Sequence, residues 1–342
     1  MQLTYRFRIK DKHSAELRRQ SKAVNFIWNF CRETQQHALK WNKRWPSWGD
    51  LQRLTAGSSK ELDLHAHTIQ QVCQRYAKAR DQQRRPLLRW RGRKSLGWVP
   101  FNNGHIRFDG ECFVFRGVRY AAWVSREIEV GATFGAGSFS QDAQGHWYIN
   151  LPVECEHEKS SATSGVGLDL GLKDIASLST GRKIEHPRWY RAIEKRLAVA
   201  QRAKKKKQVK KLHAKAANQR ADFLHKESLR LVREHGAIFV GKVSAKAFAK
   251  SNMSKSSLDA GWAMFKGQLE YKAIARGVIF AEVNEAWSTQ TCSSCGSVEG
   301  PKGVAGLGIR EWMCSCGAVL DRDTNAAQNI LRRGLATLAE GA

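Results

Sequence analysis

The chain has 342 residues, enough for two or three domains, and 42% of them are hydrophobic, so more than one core can be buried. Its 58 Lys and Arg against 31 Asp and Glu leave a formal charge of +27, which selects a polyanionic partner, nucleic acid first. No run of 18 apolar residues is available to cross a membrane and the N-terminus MQLTYRFRIKDK lacks an apolar signal core, so a cytoplasmic protein without a membrane partner is expected.

Leu3, Tyr5, Phe7 and Ile9 alternate with polar residues, the period of a half-buried strand. From Ser14 to about Trp41 the period becomes helical, with Leu17, Val24, Ile27, Trp28 and Cys31 on one stripe. A second helix, about Lys60 to Arg84, repeats it with Ile69, Val72, Cys73, Tyr76 and Ala77. The loop that follows is basic. Arg84, Arg85, Arg89, Arg91, Arg93 and Lys94 offer phosphate contacts around Trp90, whose ring suits base stacking and would equally suit a core.

Trp98 to Val153 returns to strand patterning, in FNNGHIRFDGECFVF, REIEV and FSQDAQGHWYINLPV, with Asn-Gly and Asp-Gly turns. The expectation is an antiparallel β-barrel over residues 1–10 and 95–155, completed by the first strand and carrying an inserted helical domain, 11–94. The polar, small-residue stretch Glu154 to Gly165 is read as the main boundary, with the linker at 156–165.

Beyond it, Val166 to Leu170 is a short apolar strand interrupted by Asp169, a carboxylate costly to bury unless it is paired or binds metal. A second strand, Ile175 to Leu178, precedes helices at about Trp189 to Lys206 and Lys210 to Glu234. Around their junction no acidic residue dilutes Lys204, Lys205, Lys206, Lys207, Lys210 and Lys211, a run assigned to phosphate binding. Ala237 to Val240 reads as a buried strand. A helix from Ser256 to Arg276 follows, with a capping-box pattern at Ser256 and Asp259 and a stripe of Leu258, Trp262, Phe265, Leu269 and Ala273. Strand Val278 to Val283 and a closing helix from Thr324 complete an α/β domain over 166–342 with parallel central strands.

Two constellations carry chemistry. Cys292-x2-Cys295-x18-Cys314-x-Cys316 fits a zinc ribbon at about 288–320, although its second knuckle is one residue short. Cys31, Cys73, Cys112 and Cys155 are isolated and expected to be reduced. Asp169, Glu285 and Asp323 fall at the strand ends where open α/β sheets gather their sites, as a two-Mg2+ phosphodiesterase requires, while Asp321 caps the last helix.

Four segments in order, GLDLGLKD (Gly167 to Asp174), DAGW (Asp259 to Trp262), STQTCSSCG (Ser288 to Gly296) and DRDTNAAQNIL (Asp321 to Leu331), resemble TnpB, the RNA-guided DNA endonucleases of bacterial insertion sequences. The resemblance spans nearly the whole chain. It implies a RuvC-like, RNase H-type nuclease domain with an inserted zinc ribbon, behind a wedge barrel and a helical recognition domain. It implies a guide RNA from the transposon end, double-stranded target DNA beside a short flanking motif, Mg2+ as cofactor, and a place in the bacterial cytoplasm at the nucleoid. Asp169 and Asp323 match the family's first and last catalytic aspartates. The middle glutamate does not match: Gly241 and Lys242 stand where the family has a Glu-Asp pair, and Glu285 stands where it often has proline. Either Glu285 has taken over, with Glu282 as its competitor, or the chain is a nuclease-silent guided repressor. A guide-independent DNA-binding accessory protein is the third reading.

Overall fold

The computed structural model describes residues 2–154, 158–243, 259–302 and 305–340. Two compact units divide the chain, Met1–Cys155 and Glu156–Ala342.

In the first unit, β1 (Gln2–Ile9) leads into α1 (Ser14–Lys40), α2 (Trp48–Leu54), α3 (Ser59–Leu62) and α4 (Ala66–Gln82). The chain then makes β2 (Trp98–Phe101), β3 (Arg107–Phe108), β4 (Cys112–Phe115), β5 (Val118–Trp123), β6 (Gly137–Gln141) and β7 (Trp147–Glu154). These strands form one antiparallel sheet in the order β2-β6-β7-β1-β5-β4-β3, so the N-terminal strand lies at its centre. The sheet curls. Phe101 of the first strand in that order meets Phe115 of the sixth at 5.9 Å between ring centroids, which a flat sheet would forbid. The hydrogen-bonded ladder itself stays open among the described residues, with no pairing of β2 to β3, so the expected barrel is seen as a curled sheet around aromatic residues.

The helices pack through the stripe the sequence carries: Leu17, Val24, Ile27 and Cys31 are buried, as are Ile69, Val72, Cys73, Tyr76 and Ala77. Three local expectations change. The helix from Lys60 to Arg84 is two, because Asp63 takes a left-handed backbone (φ 46°) between α3 and α4. REIEV (126–130) is not a strand; Val118–Trp123 fills that place, pairing with β4 across the Arg116-Gly117 turn. α2 arises from Ser47 and Asp50, which form a capping box that periodicity over so short a stretch did not reveal.

In the second unit the elements are β8 (Gly165–Leu170), β9 (Asp174–Leu178), β10 (Lys183–Glu185), α5 (Trp189–Arg202), α6 (Lys206–Glu234) and β11 (Ala237–Gly241). They continue with α7 (Trp262–Arg276), β12 (Ile279–Val283), β13 (Glu311–Met313), β14 (Val319–Asp321) and α8 (Arg322–Glu340). The mixed sheet runs β10-β9-β8-β11-β12. β8, β11 and β12 are parallel, and β9 and β10 are antiparallel. β10, missed in the sequence, is an edge strand of three residues with one buried side chain.

Glycines let α8 lie directly on the sheet. A Cβ on Gly167 would stand 2.1 Å from the Ala327 carbonyl oxygen, and one on Gly334 would stand 2.2 Å from the Phe239 ring. Any larger residue there would lift the helix and the carboxylate at its start. Ser256 and Leu258 lie outside the described residues. The Asp259 carboxylate accepts the Tyr190 backbone N–H at 3.0 Å, at the start of α5, while left-handed Gly261 (φ 69°) precedes α7.

Candidate functional site

Along β8, Asp169 and Gly167 point to the same side of the sheet, because side chains alternate with period two. α8 covers that side at Gly167, so Asp323 in its first turn is brought to the cleft that holds Asp169. Glu285 enters from the turn after β12, whose Val283 pairs with Gly241. The three carboxylates line one cleft of about 660 Å³, together with Asp174, Trp262, Arg310 and Arg322.

Gly241 explains how Glu285 fits. A Cβ there would stand 2.8 Å from Glu285 Oε2 and 3.1 Å from Ile330 Cδ1, so the glutamate occupies the space a side chain at 241 would need. The turn carrying Glu285 is clamped to α8. Asn329 Nδ2 donates to the Ser288 and Thr291 carbonyls at 2.9 and 2.6 Å, Asn325 Nδ2 to Thr291 at 2.8 Å, and Arg333 to the carbonyls of Asn284 and Ala286. Both asparagines are buried. Sequence reasoning missed them; two Asn four residues apart on an apolar helical face are the signal that could have found them.

Burial, with Asp323 and Glu285 nearby, pushes the Asp169 carboxyl up to about 8, and Arg322 opposes this only weakly. Burial likewise raises Glu285, against Lys266. Ionising these carboxyls together is therefore costly in the floor of the cleft, a cost that a bound cation relieves. Asp323 is also met by Arg310 Nη1, at 3.2 Å to Oδ2. Among the described residues the three carboxylates do not converge as tightly as one ion's cage; the four cysteines do.

Asp321 and Glu282 fall outside the cleft. Asp321 accepts the Thr324 N–H at 2.8 Å as the cap of α8 and pairs with Lys183 Nζ at 2.8 Å. Burial opposes ionisation there, but those partners keep its carboxyl below its usual range. Glu282 pairs with Lys266 at 2.7 Å and does not line the cleft. Asp174 opens β9, pairs with Glu185 of β10 and lines the cleft. Trp262 Nε1 donates to the Gly171 carbonyl at 3.2 Å, holding the turn that follows Asp169.

The ribbon brings Cys292, Cys295, Cys314 and Cys316 together, every Sγ within 4.8 Å of the others. The Cys292–Cys316 and Cys295–Cys314 separations of 3.8 and 3.6 Å match the ~3.8 Å edge of a tetrahedron with ~2.3 Å Zn–S bonds. The short Cys-x-Cys knuckle closes because Gly317 takes φ 86° and its N–H returns to the Cys314 carbonyl. The Ser297 hydroxyl and backbone N–H pull Cys295 down to about 6, so it is a thiolate near neutrality.

The basic residues named from sequence are mostly exposed: Arg84, Arg85, Arg89, Arg93 and Lys94, and all of Lys204, Lys205, Lys206, Lys207, Lys210 and Lys211 at the tip of the α5–α6 hairpin. Trp90 is 51% exposed with the Arg32 guanidinium 4.0 Å from its ring centroid. Arg91 differs. Its guanidinium is committed to Asn25 Oδ1 at 2.6 Å and the Leu96 carbonyl at 2.7 Å, and burial lowers its pKa.

The fold and cleft thus define a mixed α/β domain with an acidic site at the carboxyl ends of parallel strands, joined to a four-cysteine ribbon. Residues 149–252 match the family model described as "Probable transposase", and residues 262–330 match the Cas12f1-like TNB domain. A Streptomyces pristinaespiralis protein named "Putative RNA-guided DNA endonuclease" is 31% identical over 98% of this chain and 90% of its own length. The Escherichia coli protein InsQ, of the same description, is 31% identical over 58% of this chain and 56% of its own. The solved Cas12f1–sgRNA–target DNA complex aligns over 98% of this chain and 100% of that one, at a TM-score of 0.40 and 14% identity. The chain belongs to the TnpB family.

Proposed function

We propose that the chain is an RNA-guided DNA endonuclease that cuts double-stranded DNA beside a short flanking motif, with Asp169, Glu285 and Asp323 as its catalytic carboxylates and Mg2+ as its metal. The observation that carries this reading is the seating of Glu285 over Gly241, where the family's middle glutamate is absent and a second side chain would not fit. The raised pKa of Asp169 beside two further carboxyls suits a divalent cation, because hard oxygen ligands favour one and a cation lowers the energy of their ionised forms. Bound Mg2+ would supply Lewis acidity for an attacking water and for the departing 3′ oxygen.

The chain's own residues do the rest. Asp169 and Glu285 offer oxygen ligands whose ionisation burial opposes and a cation would restore, α8 presents Asp323, and Trp262 with the Asn325–Asn329 clamp restrains the two loops that carry the site. Lys204 to Lys211 and the arginines of 84–93 neutralise phosphates, while guide pairing reads the sequence. Zinc held by the four cysteines gives the ribbon a fixed core.

Purification with one discrete RNA, followed by incubation with a matched plasmid and Mg2+ across a library of flanking motifs, tests the reading. Cleavage is expected. An intact but bound plasmid throughout would make the chain a silent guided repressor, and purification without RNA would make it a guide-independent binder.

A further inference from the structure

We propose that residues 40–48 of the first unit form a docking platform for single-stranded RNA, on which unpaired bases stack against Trp41, Trp45 and Trp48. The segment reads KWNKRWPSW and joins α1 to α2. Trp41 is 58% exposed, Trp45 38% and Trp48 44%, and every residue from Lys40 to Trp45 is exposed. Leaving so much indole in water is unfavourable, at roughly 25 cal/mol for each Å² that could be buried, and clustered exposure of this kind marks a contact surface.

The backbone beneath the rings is held. The Lys43 N–H returns to the Ala38 carbonyl at 2.8 Å, Asn42 takes φ 49°, and the Pro46 carbonyl accepts Arg80 Nη1 at 2.8 Å. Ser47 and Asp50 then lock the start of α2. The rings are therefore presented before any ligand arrives, which lowers the entropy lost on binding. Lys40 Nζ lies 5.5 Å from the Trp41 ring centroid, while the buried Arg80 guanidinium, bonded to Gln35 and Asp81, lies 5.3 Å from that of Trp45 and backs this ring from inside the fold. Between residues 40 and 54 the chain carries Lys40, Lys43, Arg44 and Arg53 against one acid, Asp50, which Arg44 and Arg53 share.

Aromatic faces alternating with cations match a strand whose bases alternate with phosphates, and stacking tolerates any base. A membrane would instead ask for apolar groups gathered at one depth with cations at the rim. The choice of RNA over DNA rests on the function proposed above; the stacking does not.

The test uses the full chain and an RNA of about 12 adenosines, within the reach of a single-strand site, with one 2-aminopurine reporting stacking by quenching, at raised salt. Quenching is expected, with tighter binding than to a duplex of equal length. Trp41→Ala, Trp45→Ala and Trp48→Ala should each weaken it roughly 5- to 150-fold, while the Phe variants retain most of it and keep the test valid if an Ala variant fails to fold. Unchanged binding when Trp41, Trp45 and Trp48 are all replaced by Ala, equal binding of duplex, or tighter binding of the matching DNA overturns the proposal. So does Trp-dependent binding of phosphatidylserine vesicles with RNA binding unaltered. A chain that stacks RNA through these rings but never cuts DNA would sink the nuclease reading alone; one that cuts but shows no Trp dependence would sink this one alone.

Discussion

The carboxylate of Glu285 lies over the α-carbon of Gly241, so close that a Cβ at 241 would stand 2.8 Å from its Oε2 and 3.4 Å from its own Cβ. The two positions compete for one volume. Glu285→Ala or Glu285→Gln should lower cleavage more than the roughly 10- to 100-fold that loss of an outer-shell partner produces, while leaving DNA binding intact. Glu282→Gln should leave cleavage unchanged, because Glu282 faces Lys266. Gly241→Glu should disrupt the site when Glu285 is present and recover part of the activity lost in Glu285→Ala. Plasmid nicking with parallel binding measurements reads all five variants. Full activity in Glu285→Ala would end the assignment.

Asp169 supplies a pH dependence whose sign follows from its raised pKa. A carboxyl at about 8 in the folded chain holds a proton that the unfolded chain, near 3.8, has lost, so its contribution favours folding at low pH. That contribution is lost progressively as pH rises from about 4 through about 8. Without divalent metal, Asp169→Asn should raise the melting temperature more at pH 8 than at pH 5. Added Mg2+ should shrink the difference in the wild-type chain. Thermal melts at the two pH values decide it, and an equal effect at both would contradict the buried, mutually repelling cluster.

The ribbon should hold one zinc per chain, lost on Cys316→Ser or on chelation. Arg310, one residue before β13, touches Asp323, so collapse of the ribbon should weaken cleavage while the main sheet persists. Metal analysis beside far-ultraviolet circular dichroism and a cleavage assay checks this.

Replacing Lys204, Lys205, Lys206 and Lys207 with Gln should weaken DNA binding at low salt and flatten its salt dependence. The log–log slope should fall by about 0.9 for each phosphate contact removed from a duplex. An unchanged slope would return the run to a solvated hairpin tip.

The alternation of Leu3 to Ile9, the stripes of α1 and α4, and the buried run Ala237 to Val240 were legible because period and apolarity are local properties. β10 and the split at Asp63 were not, since three edge residues carry no measurable period and one left-handed residue leaves no pattern. REIEV alternates as a strand does, yet strand formation also needs a partner ladder, and Val118–Trp123 holds it.

By itself the sequence determined the charge that selects a polyanion, the four thiols, the two aspartates and the family, because each is a matter of residue type and spacing. Only the tertiary structure decided that Glu285 and not Glu282 shares the cleft, that Arg91 is committed inside its unit, and that a shortened Cys314–Cys316 knuckle still joins the other thiols. Those depend on where strand ends, a helix start and a missing Cβ meet in space, and residues as far apart in the chain as Gly241, Glu285 and Ile330 meet there only once α8 has packed on the sheet.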